Sequence, residues 1–303
     1  MQLSQIRTFL AVRETGSLRA AARHIGISQP AISKAMSGLE SELQAQLFIR
    51  TSRGIRLTEA GRMFGARAAV VQAELGRARE ELSELSGGSE GSVSMGVGPA
   101  GIALLPRALA RFRAERPNAR IHIREGTRDV LLPLIRDGSL DFSISDRGIA
   151  PVEGGLVFRM LYQSELVIAS RKGHPLARAT SLSQLADASW ILVYRLGHGG
   201  ALEQAFAAAG VPASPIMRVR CESHASALTL IADSDLLGLV PKQDLQAGVK
   251  AGFLQRVEVR ERLGRPRIGA FMRADTPPSL AAQRMLHAIT AASRSTRGTA
   301  ATS

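Results

Sequence analysis

The stretch Ser17–Glu40, SLRAAARHIGISQPAISKAMSGLE, leaves a chain like this few choices. Leu18 to His24 is a short Ala-rich helix, with Ser17 placed as its N-cap. Gly26 follows, a residue that ends a helix in the left-handed conformation. Ser28 offers a second N-cap, and Pro30 falls in the first turn of the next helix, where its missing N–H costs nothing. Ala31, Ile32, Ala35, Met36 and Leu39 recur at helical spacing, so one face of this second helix is buried. Gln29, Ser33, Lys34 and Ser37 are left on another face. Two short helices, a Gly turn and donor-rich residues at the start of the second helix predict a helix-turn-helix. Such a second helix fits the major groove of DNA, and its N-terminal residues reach base edges. The same residues also allow a helical hairpin that only packs.

The flanks complete a winged unit. Leu3 to Glu14 is an amphipathic helix that braces the pair, with Ser4 as its expected cap. The run LFIRTSRGIRL, ending at Leu57, has two short apolar or branched segments around Ser52-Arg53-Gly54, a turn signal. It predicts a two-stranded wing. There Arg50, Arg53 and Arg56 can meet phosphates, or Arg53 a minor groove. From Thr58 to Ser86, the residues Gly61, Phe64, Ala68, Val71, Leu75, Ala78, Leu82 and Leu85 alternate spacings of three and four. That heptad seam predicts a long helix seeking a partner helix, and so a dimerisation element. The alternative is one helix lying on its own domain. Gly87-Gly88-Ser89-Glu90-Gly91 is a hinge by composition.

Beyond the hinge, strands alternate with helices, which predicts parallel sheets with helices on both faces. Strands are expected at Val93–Val97, Ile121–Ile123, Leu140–Ser145, Leu156–Met160, Glu165–Ala169, Trp190–Val193, Met217–Arg220, Leu237–Val240, Val257–Val259 and Ile268–Met272. Helices are expected at Ile102–Arg116, Asp129–Arg136, Ala201–Ala209, His224–Ala232 and Ser279–Ala292, and the tail 294–303 is expected to be disordered. Gly96, Gly98 and Gly101 spell G-x-G-x-x-G between a strand and a helix. Pro99 interrupts the turn, and the only acidic residue at the end of the next strand, Glu125, lies too far on for a dinucleotide site. What survives is a Gly-rich loop whose free N–H groups and helix N-terminus suit an anion, or a plain structural turn.

The 303 residues carry a net charge of +13, which favours polyanionic partners or anionic ligands. Residues 1–60 hold eight Lys/Arg and four Asp/Glu, a net of +4, so the charge supports DNA binding only weakly. The single cysteine, Cys221, excludes an internal disulfide and fits a reducing compartment; a small residue ending a strand explains it better than a redox sensor does. The opening MQLSQIRTFL lacks the pattern of a signal peptide, and no apolar run approaches the roughly 20 residues of a membrane span. A cytoplasmic chain is expected. There is no G-x-S-x-G, H-E-x-x-H or C-x-x-C, and no metal-ligand spacing. Neither enzyme activity, cofactor nor metal is expected. Two other classes fit less well: a solute-binding protein with an incidental N-terminal domain, and a dehydrogenase using the Gly-rich loop.

The run from Leu3 to Gly61 resembles the DNA-binding domain of LysR-type transcriptional regulators. The matching residues are Phe9, Glu14 to Leu18, Ala20 to Ala22, Ile27 to Ser33, Leu39-Glu40, Leu43, Leu47-Phe48, Arg50, Arg53-Gly54 and Leu57 to Gly61. The second half is similar to the family's effector-binding domain, with the fold of type II periplasmic binding proteins. Its matching phrases include Leu104-Leu105-Pro106, Asp137 to Phe142, His174 to Ala177, Leu185 to Asp187 and Gly238 to Pro241. The resemblance implies a winged helix-turn-helix over 1–58, a dimerisation helix and hinge over 59–88, and an effector domain over 91–293. Within that domain it implies subdomain I at 91–162 and 265–293, and subdomain II at 163–264. DNA contacts are expected at Ser28, Gln29, Pro30, Ser33, Lys34 and Arg53. The family's effector site, between the subdomains, carries onto Gly98, Pro99, Ala100, Thr127, Asp146, Gly197, His198, Ser223 and His224. Many relatives have Ser or Thr where this chain has Gly98, so a hydroxyl contact is missing there. Glu14 to Ala22, Cys221 to Ser223 and Ser234 to Leu237 look most like the toluenesulfonate-operon regulator and its relatives, which implies an aromatic sulfonate or carboxylate effector. The resemblance further implies homodimers pairing into tetramers on an inverted-repeat operator, with room for RNA polymerase as a further partner.

Overall fold

The computed structural model describes residues 1–51, 54–86, 90–148, 151–152, 154–193, 200–211 and 215–299. The chain separates into an N-terminal unit, Met1–Ser86, and an α/β unit that follows.

The N-terminal unit contains α1 (Leu3–Thr15), α2 (Leu18–Ile25), α3 (Gln29–Leu43), β1 (Phe48–Thr51), β2 (Gly54–Leu57) and α4 (Glu59–Leu85). Its turns form where the residues require them. The Ala20 amide donates to Ser17 Oγ and the Ala31 amide to Ser28 Oγ, while Gly26 sits at φ +72° between the two helices. Ser4 does not cap α1. That place goes to Gln2, whose amide donates to Gln5 Oε1 at 2.7 Å, because Ser4 already lies inside the first turn. Ile6, Phe9, Val12, Ala21, Ile32, Met36, Leu39 and Leu47 make one core. Phe9 is fully buried, with Phe48 at 5.0 Å and Phe64 edge-on at 4.9 Å. Burying a Phe of this kind contributes about 1.5–3 kcal/mol.

Two details lock the wing to this core. Glu40 reaches back from α3 and accepts from the amides of Leu47 at 2.7 Å and Phe48 at 3.1 Å. Gly61, at the start of α4, packs so closely that a Cβ there would lie 2.0 Å from the Leu47 carbonyl oxygen. β1 and β2 pair antiparallel from Phe48↔Leu57 to Thr51↔Gly54. On α4, the buried residues among those described are Gly61, Gly65, Ala68 and Ala69 of the first half; Val71, Ala78 and Leu82 of the heptad seam are exposed.

The α/β unit runs β3 (Ser92–Val97), α5 (Pro99–Ile102), α6 (Leu105–Glu115), β4 (Arg120–Glu125), α7 (Arg128–Arg136), β5 (Phe142–Asp146), β6 (Leu156–Gln163), β7 (Leu166–Arg171), β8 (Ser189–Leu192), α8 (Ala201–Ala208), β9 (Ile216–Arg220), α9 (His224–Ala232), β10 (Leu237–Pro241), α10 (Lys242–Lys250), β11 (Leu254–Val257), β12 (Arg267–Arg273) and α11 (Leu280–Thr299). It holds two five-stranded sheets, ordered β4-β3-β5-β12-β6 and β11-β7-β10-β8-β9. Each is packed on both faces. In the first sheet, Met95, Phe112, Phe142 and Met285 fill one face, and Leu131, Ile135, Leu140 and Phe271 the other. In the second, Trp190, Leu202 and Phe206 oppose Val167, Ile191, Ile231 and Val240.

Four further expectations need correction. The sheets are mixed rather than parallel: β12 runs antiparallel to β5 and β6, and β7 antiparallel to β10 and β11. These are the strands that carry the chain from one sheet to the other and back, without a crossover helix to reverse it. The helix expected over Ile102–Arg116 is broken into α5 and α6, with Pro106 in the first turn of the second piece. The strand expected at Val257–Val259 instead spans Leu254–Val257, preceded by the unforeseen α10. The last helix continues past Ala292 to Thr299, since no proline intervenes and Ser293 is still buried, its hydroxyl bonded to the Thr290 carbonyl.

Candidate nucleic-acid interface and ligand cleft

The first half of α3 divides cleanly. Ile32 and Met36 face the core; Gln29, Pro30, Ala31, Lys34 and Ser37 are exposed, and Ser33 is half-buried. Its first turn contains no acidic residue. Among the described residues no carboxylate pairs with Lys34, so its charge is available to a partner. Ser28 is exposed and spends its Oγ on the cap. Arg53 lies outside the described residues; Arg56, on β2, is exposed. The expected contact residues on α3 thus share one open surface, anchored from behind by the Phe9 core.

In the α/β unit, a cavity of about 670 Å³ opens between the two sheets. One wall is built by the strand ends and loops of the first sheet: Gly98, Pro99 and Ala100, then Thr127, Arg128 and Asp129, then Ser145, Asp146 and Arg147. The facing wall offers Val193, Ala201, Gln204, Leu239 and Pro241. The segments that pass between the sheets contribute Gln163, Leu166, Arg265 and Arg267.

Gly98, Pro99, Ala100, Thr127 and Asp146 therefore come together at the cleft. Gly197 and His198 lie outside the described residues. Ser223 and His224 stand elsewhere. The hydroxyl of Ser223 caps α9 by accepting from the Ser226 amide, and the His224 amide donates to Glu125 Oε1 at 2.8 Å. His224 is buried, with Nε2 2.8 Å from Asp244 Oδ2. The resemblance did not carry Ser145, Arg128, Gln163, Gln204, Arg265 and Arg267. A usable signal existed, because any segment passing between two sheets must border the space between them.

The Gly-rich loop owes its glycines to packing. A Cβ at Gly96 would lie 2.8 Å from Leu131 Cδ2, and one at Gly101 2.9 Å from Ile144 Cγ2. Its value as an anion seat is also less than its sequence suggests. α5 is a single turn, too short to sum a useful dipole. Gly98 and Gly101 already spend their N–H groups on the carbonyls of Ile144 and Gly98. The Ala100 carbonyl is held by the hydroxyl of buried Tyr162, whose phenol is pushed well above its usual range by burial and then by the nearby Asp244 charge.

Asp146 is reached by water through the cleft, yet protein surrounds it on its other sides. Burial raises its carboxyl pKa; Arg128 and the Gly148 amide oppose this, and Asp129 adds to it. The Arg128 guanidinium is itself tied to the Arg147 carbonyl at 2.6 Å. Arg147, Arg265 and Arg267 meet no carboxylate among the described residues. The cleft thus joins unpaired cations, one desolvated acid and hydroxyl groups on one side to a largely apolar wall on the other. No group of three or more potential metal ligands occurs among the described residues, and no described helix is long and apolar enough to cross a membrane.

Comparison with known proteins identifies both parts of the chain. Residues 3–62 match the model of the bacterial regulatory helix-turn-helix protein, lysR family, and residues 86–294 that of the LysR substrate binding domain. The chain belongs to the LysR family of regulators, with a DNA-binding head and an effector-binding domain, and not to a family of enzymes. It is 34% identical over 262 residues to the HTH-type transcriptional regulator GalR of Pseudomonas putida, a match covering 84% of this chain and 65% of that protein. It is 29% identical over 293 residues to the HTH-type transcriptional regulator PcaQ of Agrobacterium fabrum, covering 95% and 94%. The crystal structure of full-length CbnR complexed with its target DNA superposes with a TM-score of 0.68 at 22% identity, covering 96% of this chain and all of that one, a likeness of fold.

Proposed function

We propose that this LysR-family protein reads an inverted-repeat operator through Ser28, Gln29, Pro30, Ser33, Lys34 and Arg53, and that a small anionic effector in the α/β cleft switches it. The observation that carries the DNA reading is the exposed, acid-free first half of α3, backed by a packed core. That the CbnR structure contains target DNA supports the same use of the shared fold. The exposed heptad residues of α4 favour a homodimer, and pairing of α/β domains a tetramer. Symmetric heads ask for symmetric half-sites. The domain division is 1–58, 59–88 and 91–293, the location the cytoplasm, and RNA polymerase a further partner.

Arg147, Arg265 and Arg267, which pair with no carboxylate among the described residues, and the apolar facing wall favour an aromatic carboxylate or sulfonate. Of the nine effector positions carried over from the family, Gly98, Pro99, Ala100, Thr127 and Asp146 are assigned to ligand contact in the cleft; Gly197 and His198 lie outside the described residues, and Ser223 and His224 stand away from the cleft lining. The ligand works by population shift, binding one cleft conformation better and changing the angle between subunits. Selection from random DNA, followed by footprinting, tests the first part: an inverted repeat protected by the wild type and weakened by Lys34→Ala is expected, and failure to enrich any sequence refutes it.

A further inference from the structure

The cleft carries two chemistries, and a simple acid uses only one. Arg147, Arg265 and Arg267 supply cationic donors without carboxylate partners among the described residues. On the first-sheet wall, Asp146 presents an acceptor to the cleft; the Arg128 charge and the Gly148 amide act on it, but it forms no ion pair among the described residues. Beside it, Ser145 is 1% exposed and lines the same cleft, and its Oγ has no hydrogen-bond partner among the described residues. A buried hydroxyl left unmatched costs about 1–3 kcal/mol, so a ligand whose binding turns it toward a polar group in the cleft is favoured.

The neighbouring strand makes room for this hydroxyl. A Cβ at Gly98 would lie 3.1 Å from the Cβ of Ser145. The side chain absent at Gly98 is thus replaced by one from β5, a residue earlier than the loop where family resemblance places contacts.

We propose that the effector is a bifunctional acid: its anionic group meets Arg147, Arg265 and Arg267, and a hydroxyl or amino substituent donates to Asp146, with Ser145 completing the polar seat. This rests on the reading of the cleft as an acid-binding site. It adds a specificity pair that sorts acids by a second polar group.

Calorimetric titration of the full-length protein with benzoate, 3-hydroxybenzoate, 3-aminobenzoate, 3-methoxybenzoate, 3-hydroxybenzenesulfonate and neutral 3-hydroxybenzamide tests this. The hydroxy and amino acids are expected to bind at least tenfold more tightly than the methoxy acid, which fills the same space without a donor. Asp146→Ala brings that ratio down to about one while leaving the methoxy acid's affinity within twofold, and Ser145→Ala lowers the ratio several-fold. Arg265→Ala weakens all acids alike. A single cooperative ligand-free melting transition and unchanged operator binding show that each variant is folded. Equal binding of hydroxy and methoxy acids, or a ratio that survives Asp146→Ala, overturns the pairing and leaves the acid site standing. Binding of the neutral amide with none of the acids overturns the acid site, and the pairing with it; so does binding of no compound.

Discussion

The recognition helix and the cleft solve opposite problems. α3 presents its expected contacts from one continuous segment, and the residues that hold it, Ile32, Met36 and Leu39, are different from those that face outward. The cleft draws on three strand ends, the facing wall and both passages between sheets, and its wall residues are also packing residues. Function and stability are separable on the helix and entangled in the cleft. A surface meant to read a rigid, charged polymer can be one stiff face. A site meant to change shape when filled has to be assembled from parts that move.

The comparison can be broken most severely at Gly61. Gly61→Ala pushes a methyl against the Leu47 carbonyl, and a loss of about 3 kcal/mol or more is expected in chemical unfolding of the N-terminal unit. An unchanged denaturation midpoint would show that the wing is not held as described. Next comes the seam: Leu82, 65% exposed, is expected to be covered by a second copy. Leu82→Asp should weaken self-association by at least tenfold in sedimentation. Lys34→Ala sharpens the contrast, with a loss of about 1–3 kcal/mol in operator affinity and no shift in melting temperature. On the cleft side, Gly98→Ser should perturb both properties at once, costing about 1 kcal/mol of stability and changing ligand preference, since Ser145 must shift.

The smallest effect is electrostatic. The Asp146 carboxyl titrates above its ordinary 3.8 in the folded chain, so the folded state holds this proton more tightly than the unfolded one. Stability contributed by that proton is present below 3.8 and is lost as pH rises through the folded value. Asp146→Asn should therefore flatten the melting temperature across that window and raise it slightly at neutral pH.

Legibility followed the same division. The helix-turn-helix could be read because Ser17, Gly26, Ser28 and Pro30 each answer a local backbone need, and local needs are written in consecutive residues. The α/β layering was legible from alternation and resemblance. The direction of β12 was not: antiparallel entry depends on where the chain comes from, which no window of sequence contains. Nor were Ser145, Arg265 and Arg267, which gain meaning only where distant segments converge. The Gly-x-Gly-x-x-Gly loop misled for a related reason, since close helix–strand packing and phosphate approach demand the same residue.

Glu125, at the end of β4, accepts the amide at the start of α9, and His224, the residue that donates it, is clasped by Asp244. β4 belongs to one sheet, while α9 packs on the other. Any rotation that parts β4 from α9 must first surrender that bond. Cleft opening on that side therefore carries the cost of one charge-assisted hydrogen bond, about 1.5–3 kcal/mol, which weights the ligand-free balance between conformations toward the closed hinge.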